Sequence, residues 1–231
     1  MNNVPMPEDL GSFYGDYLPF LQDAVEYVLA QVQKISEDCV SEYERDPIEN
    51  IKYRIKSPAS MSEKLQKHGH KVTAENAVFK VFDAAGVRII TSFLEDVEVV
   101  ARHIRSIQGL RVTEEKDYIN HPKGNGYRSY HMICEVLNGL PDGRHISIEI
   151  QIRTIAMDTW ASVEHRMKYK KILVDEKLIV DELKRCADEL AAVDLSLQTL
   201  SEIISGGIVN EDFVCRGRES NVRCSCRDSA S

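Results

Sequence analysis

Two acids occupy positions from which they could do chemistry together. Asp83 stands two residues ahead of the apolar run AGVRIITS (85–92), and Glu149 lies within HISIEIQIR (145–153). In that second segment Ile146, Ile148, Ile150 and Ile152 alternate with His145, Ser147, Glu149, Gln151 and Arg153. A strand built this way has one aliphatic face and one titratable, hydrogen-bonding face, because strand side chains alternate. If both segments join one sheet, the two carboxylates can converge on one divalent cation, an arrangement that phosphoryl chemistry on nucleotides requires. Taken singly, each acid also fits a plainer role, as a turn-capping aspartate and a solvated sheet residue.

Phosphoryl chemistry also needs cations, and the charge is unevenly spread. The chain carries 29 Lys and Arg against 37 Asp and Glu, a net charge of −8. Residues 1–50 hold eleven acids against Lys34 and Arg45, whereas 52–71 hold Lys52, Arg54, Lys56, Lys64, Lys67 and Lys71 against Glu63 alone. A basic island in an acidic chain suits a compact polyanion such as a nucleotide phosphate tail, and the acidic total argues against general nucleic-acid binding. Arg54 and Lys56 alternate and can project together from an extended segment, while Lys64 and Lys67 share a helix face. A solvated charge run is the other reading.

The third requirement is a grip on a base. Residues 116–131, KDYINHPKGNGYRSYH, combine Lys116, Lys123 and Arg128 with Tyr127, Tyr130 and His131, and Gly124 and Gly126 permit close backbone approach. Stacking of a base on an aromatic ring contributes roughly 1–3 kcal/mol, which makes Tyr127 a candidate platform. A surface loop with core-packed tyrosines would look the same. The segment is neither a Walker A sequence nor a Rossmann fingerprint.

Periodicity supplies the elements that must position these groups. Spacings of three and four predict a long amphipathic helix over 14–43, a short basic helix over 60–69 with Ser60 as its cap, and helices over 95–108, 154–169 and 175–204. Residues 85–92, 110–119, YHMICEV and HISIEIQIR read as strands, with NGLPDGR as a hairpin turn. The whole is an α+β domain around a small sheet, over 1–204. Residues 205–231 lose periodicity and read as a flexible tail holding three of the six cysteines.

Composition excludes other classes. Apolar residues are 43% and charged residues 29% of 231, as in soluble globular proteins. No apolar run approaches the roughly 18 residues of a membrane span. The acidic start lacks a secretory signal, and the scattered cysteines form no CxxC pair, so a cytoplasmic protein without disulfides is expected. His68 and His70, and Cys224 and Cys226, lack the further partners a zinc site needs.

Four segments in order, YRIKSPASMSEKL, DAAGVRII, KDYINHPKGNGYRSYH and EIQIRTIAMDTWASVEHRMKYK, resemble the synthetase domain of the RelA/SpoT superfamily, and more narrowly the single-domain small alarmone synthetases. The resemblance runs from about residue 12 to 200. It implies a nucleotidyltransferase-like fold, a mixed sheet flanked by helices, and transfer of the β,γ-pyrophosphate of ATP to the 3′-hydroxyl of GDP or GTP, giving AMP and ppGpp or pppGpp. It places Mg²⁺ on Asp83 and Glu149, with Glu149 also the base for the 3′-hydroxyl. Arg54 and Arg88 would sandwich adenine, and Lys56, Ser60, Lys64 and Lys67 would hold the ATP phosphates. Tyr127 would stack on guanine, and Lys116, Lys123, Asn125 and His131 would contact the acceptor, with Gln151 and Glu164 nearby. Relatives of this size form homotetramers through their terminal helices, and no stable nucleic-acid partner is expected.

Three positions depart from the family pattern: Ala84 where Ile is common, Lys67 where Arg is frequent, and Thr159 where Phe is common. The last leaves GDP and GTP equally open as acceptor. None of the seven histidines precedes an aspartate, so the His-Asp motif of the hydrolase domain in long relatives is missing, and synthesis without hydrolysis is expected. Two alternatives stand beside this reading. One is the same transfer onto an adenine nucleotide or the 3′ end of tRNA, and the other is a catalytically silent nucleotide- or RNA-binding regulator.

Overall fold

The computed structural model describes residues 9–137, 140–169 and 176–205. The helices are α1 (Asp9–Tyr14), α2 (Leu18–Tyr43), α3 (Pro58–Lys67), α4 (Ala74–Phe79), α5 (Leu94–Ser106), α6 (Ile155–Tyr169) and α7 (Glu176–Ser205). The strands are β1 (Ile48–Ile55), β2 (Ala85–Thr91), β3 (Leu110–Asp117), β4 (Tyr130–Val136) and β5 (Ile146–Thr154). They form one mixed sheet in the order β1-β2-β5-β4-β3, in which only β2 and β5 run parallel. The α+β expectation holds, and the strand read from HISIEIQIR, β5, is the central one. The flexible tail expected at 205–231 lies, apart from Ser205 at the end of α7, outside the described residues.

Alternation on β5 decides which side of the sheet is core. Ile146, Ile148, Ile150 and Ile152 are buried against α2 and α5, in one cluster with Leu21, Val28, Ile89, Val100, Ile104 and Met132. Each such side chain contributes roughly 1.5–3 kcal/mol when fully buried. The opposite face of β5 carries Glu149 and Gln151, half-buried, and Arg153, buried.

Several boundaries differ from the periodic reading. The helix expected from Tyr14 begins at Leu18, because Gly15 adopts a left-handed φ of +51° and Pro19 belongs in a first turn. The helix expected from Ser60 begins at Pro58. Its cap is Ser57, whose hydroxyl accepts from the Ser60 amide, so Ser60 sits one turn inside. Helix α4, capped by Thr73, is too short to show a period. Gly143, at φ +81°, closes the β4–β5 turn.

Gly126 shows where loop and helix meet. Its φ is +89°, and a Cβ there would lie 2.7 Å from the Ala187 Cβ and 3.2 Å from the Lys184 Cα on α7. The expected close approach is therefore to the protein's own helix, whereas Gly124 has open space around it. Arg128 follows the same logic, donating to the Ala187 carbonyl and to Asp188 at 3.0 Å. It fastens α7 and is not one of the cleft's cations. Gly126→Ala is expected to cost about 1–3 kcal/mol through strain and overpacking, read as a fall of several degrees in Tm by calorimetry.

Candidate active site

The open face of the sheet carries two rows of side chains crossing all five strands. In register, Lys52 opposes Arg88, Arg88 opposes Gln151, Gln151 opposes His131 and His131 opposes Lys116. The adjacent row runs Arg54, Gly86, Glu149, Ile133 and Glu114. One row therefore holds no acid and only residues able to donate, and the other places an acid at its centre beside a residue with no side chain. Over β1 and β2 this makes a cleft of about 230 Å³ lined by Lys52, Arg54, Asp83, Gly86, Arg88, Glu149 and Gln151. The expected convergence of the two carboxylates occurs because β2 and β5 are neighbours.

Asp83 sits just ahead of β2, its side chain 15% exposed. Its Oδ2 accepts from both Lys56 and Lys64, the latter at 2.7 Å. Its Oδ1 is buried without a hydrogen-bond partner. A buried carboxylate oxygen left open beside a second carboxylate is a hard-donor position suited to Mg²⁺, which takes one or two carboxylates and completes its shell with phosphate oxygens and water.

Glu149 belongs to a closed ring of hydrogen bonds. Its Oε2 accepts from the Gln151 amide at 2.7 Å, and Gln151 Oε1 accepts from Arg153 at 2.8 Å. The same Arg153 nitrogen donates to the Tyr127 hydroxyl at 2.6 Å, which lies 2.7 Å from His131 Nε2. His131 Nδ1 closes the ring at 3.2 Å from Glu149 Oε1. Arginine can only donate and a carboxylate only accept. With a neutral imidazole the bonds run from Arg153 to Glu149 along both arms, the Tyr127 hydroxyl donating to Nε2 and Nδ1–H to Glu149; with an imidazolium, Tyr127 accepts from both Arg153 and Nε2. Burial pushes the Glu149 carboxyl up, but the hydrogen bond and charge of His131, the Gln151 hydrogen bond and the charge of Lys64 outweigh it and bring it down to about 2.

Tyr127 is not a bare platform. Its ring meets Tyr118, His131 and Trp160 edge-on, with Lys123 Nζ 4.9 Å and Arg153 5.1 Å from its centroid. Asn125 donates to Glu164 of α6 at 3.2 Å, joining two of the acceptor candidates, and Lys116 pairs with Glu114. Arg54 is exposed at the cleft edge, diagonal to Arg88 on the same face. Ser60 and Lys67 are exposed along α3. Ser60's hydroxyl lies 3.1 Å from that of Ser57, and only Lys64 of the α3 lysines reaches Asp83.

Two site residues were missed by motif reading. Arg153, its side chain 4% exposed, is the source of the ring's donors, and Asp158, 8% exposed, accepts from Lys52, Arg88 and Arg153. The polar phase of β5 pointed to Arg153. Nothing local pointed to Asp158, whose partners on β1 and β2 are remote in sequence.

A profile of the region found in RelA / SpoT proteins matches residues 53–173. The chain belongs to the RelA/SpoT family. Among curated relatives, the GTP pyrophosphokinase YwaC of Bacillus subtilis is 44% identical over 144 residues, 62% of this chain and 69% of that protein. The GTP pyrophosphokinase YjbM of the same organism is 35% identical over 156 residues, 66% of this chain and 71% of that protein. The crystal structure of the small alarmone synthetase 1 from Bacillus subtilis bound to its product pppGpp superposes with a TM-score of 0.73 at 28% identity, covering 82% of this chain and 96% of that one. The mixed sheet with flanking helices is thus the RelA/SpoT synthetase fold, and every residue of the cleft except Lys52 falls within the matched span.

The depressed Glu149 has a consequence for stability. A group whose folded pKa lies below its unfolded value stabilises the fold above the unfolded pKa, and that contribution disappears as pH falls through the folded one. With 4.5 and about 2 as the limits, wild type should lose on the order of 3 kcal/mol from this group across that range. Denaturant melts of wild type and Glu149→Gln between pH 6 and about 2 should show the variant's curve flatter over the same interval.

Proposed function

We propose that this chain is a (p)ppGpp synthetase that transfers the β,γ-pyrophosphate of ATP to the 3′-hydroxyl of GDP or GTP. The observation that carries the reading is the cleft itself. Two carboxylates meet there between a cation-rich side on β1, β2 and α3 and an aromatic side on the 118–131 loop. The named activities of YwaC and YjbM and the product bound in the superposed structure support it.

On the donor side, Arg54 and Arg88 would flank adenine with their guanidinium planes. Lys56 and Lys64, which neutralise Asp83 here, would turn to the phosphates, with Ser60 and Lys67 further along α3. On the acceptor side, Tyr127 would receive guanine, with Lys116, Lys123, Asn125, His131, Gln151 and Glu164 around the ribose and phosphates. Asp83 and Glu149 would hold Mg²⁺, which when bound neutralises charge on the transferred group. Glu149 takes the proton of the 3′-hydroxyl as that oxygen bonds to the β-phosphorus. The bond from the β-phosphorus to the oxygen bridging it to the α-phosphate breaks, and AMP leaves with that oxygen.

A carboxylate held near 2 is always ionised at neutral pH but is a weak base. The acceptor itself relieves this. As His131 and Gln151 turn to the nucleotide and Lys64 to the phosphates, the groups that depress Glu149 are withdrawn while burial remains. That raises basicity when the hydroxyl is in place, against the lowering that a cation held by Glu149 would bring.

A homotetramer in the cytoplasm completes the proposal. Leu178, Leu195, Leu197, Leu200 and Ile204 on α7 are exposed apolar residues available for assembly, and no helix among the described residues is long and apolar enough to cross a membrane.

Chromatography after incubation with ATP, Mg²⁺ and GDP or GTP should show a tetra- or pentaphosphate with equimolar AMP. Arms with ADP or tRNA as acceptor should yield none. Glu149→Gln should lower the rate by on the order of 10²–10⁴, and a near-wild-type rate would refute the assigned base. Gly86→Val tests the donor cleft separately. Its Cβ would meet only the Glu149 carbonyl oxygen, at 3.6 Å, so Tm should hold while ATP binding by calorimetry is lost.

A further inference from the structure

Asp158, in the first turn of α6, gathers cations from three neighbouring strands. Lys52 of β1 takes Oδ2 at 2.8 Å, while Arg88 of β2 and Arg153 of β5 share Oδ1 at 3.0 and 3.3 Å. The two guanidinium groups that share that oxygen also share Gln151 Oε1, at 3.4 Å from Arg88 and 2.8 Å from Arg153, and beyond it they serve different halves of the site. Arg88 lines the cleft with Arg54, on the donor side. Arg153 donates to the Tyr127 hydroxyl, on the acceptor side.

Like charges this close repel, and burial together with the Arg153 guanidinium holds Arg88 below arginine's usual range. The shared oxygen is what keeps both in place. Anything that draws Arg88 and Lys52 toward another anion or a purine leaves Asp158 to Arg153 alone. The ion pair between them then shortens and fixes Tyr127 and Gln151 more firmly.

We propose that Asp158 is a positioning residue that couples the donor and acceptor nucleotide subsites by sharing one carboxylate oxygen between a guanidinium of each. The inference rests on the synthetase reading above. ATP in the donor cleft tightens the acceptor site, and by linkage the acceptor nucleotide tightens ATP by the same factor.

The test is calorimetric titration of GDP into wild type, Asp158→Asn and Lys52→Met, each with Mg²⁺, without and with a saturating non-hydrolysable ATP analogue. In wild type the analogue should tighten GDP by roughly fivefold or more. In Asp158→Asn each nucleotide alone should still bind, but the ratio should fall to about one. Lys52→Met sits on an exposed edge-strand position and opens Oδ2, so Arg88 and Arg153 no longer compete and the ratio should drop below that of wild type. A purely structural Asp158 would lower Tm and weaken both nucleotides while leaving the ratio intact. That result, a wild-type ratio of one, or an unchanged ratio in Lys52→Met should Asp158→Asn fail to fold, overturns the coupling. Coupled binding in a wild type that releases no AMP would instead refute the synthetase reading and leave the coupling standing.

Discussion

Glu149 lies on the central strand with its side chain 19% exposed, and burial by itself favours the neutral acid. Keeping it charged takes donors with no other acceptor to serve, and much of the open face follows from that need. Two arms reach it, through Gln151 and through Tyr127 and His131, and both connect to Arg153. Arg153 is itself buried, so its charge requires an anion, which is Asp158. Asp158 stands in the first turn of α6, where the unpaired amides of a helix start favour negative charge. Helix α6 is in turn fixed by Thr154, whose hydroxyl accepts from the Met157 amide and donates to the buried Asp194 of α7 at 2.6 Å. From one carboxylate the dependence runs to the last helix of the fold.

The same face carries more positive charge than the fold requires. Lys52, Arg54, Lys56, Lys64, Arg88 and Arg153 are set against Asp83, Glu149 and Asp158. Lys52 and Arg88 stand directly opposite each other on β1 and β2, a like-charge pairing that weakens a sheet. Without Asp158 beneath them that pair would repel unopposed. The surplus answers a need of the chemistry, since charge builds on a transferred phosphoryl group in a site that water has left.

How much of this was legible depended on how local each cause is. The β5 strand was readable because one face is wholly aliphatic, so alternation alone separated Ile148 and Ile150 from Glu149 and Gln151. Glu149 and Asp83 met because their strands are neighbours, and motif order carried that information before any geometry did. The 116–131 loop was readable in composition but not in allegiance. Lys123 lies over Tyr118 and Tyr127, yet Arg128, five residues on, belongs to α7. No spacing rule separates two cations whose partners come from another element. Asp158 was illegible for the same reason, since it reads as an ordinary helix-start acid until β1 and β2 are folded beneath it. Ser57 and Ser60 show the converse, a local ambiguity between two serines that Pro58 at the first helical position resolves.

The 118–131 loop is held chiefly from the helix side. Gly126 packs against Lys184 and Ala187, Arg128 grips the Ala187 carbonyl and Asp188, and Asn125 donates to Glu164. Trp160, which meets the Tyr127 ring edge-on, donates its indole N–H to the Leu183 carbonyl at 2.7 Å. Tyr127 therefore takes its position from α6 and α7 as much as from β4. The donor-side cations, by contrast, ride on β1, β2 and α3. The two halves of the cleft are built on different parts of the fold, and the sheet between them offers few groups that touch both. Glu149, Gln151 and Arg153 of β5, with Asp158 of α6 beside them, are those groups, which is why each of them is buried or half-buried and bonded on more than one side.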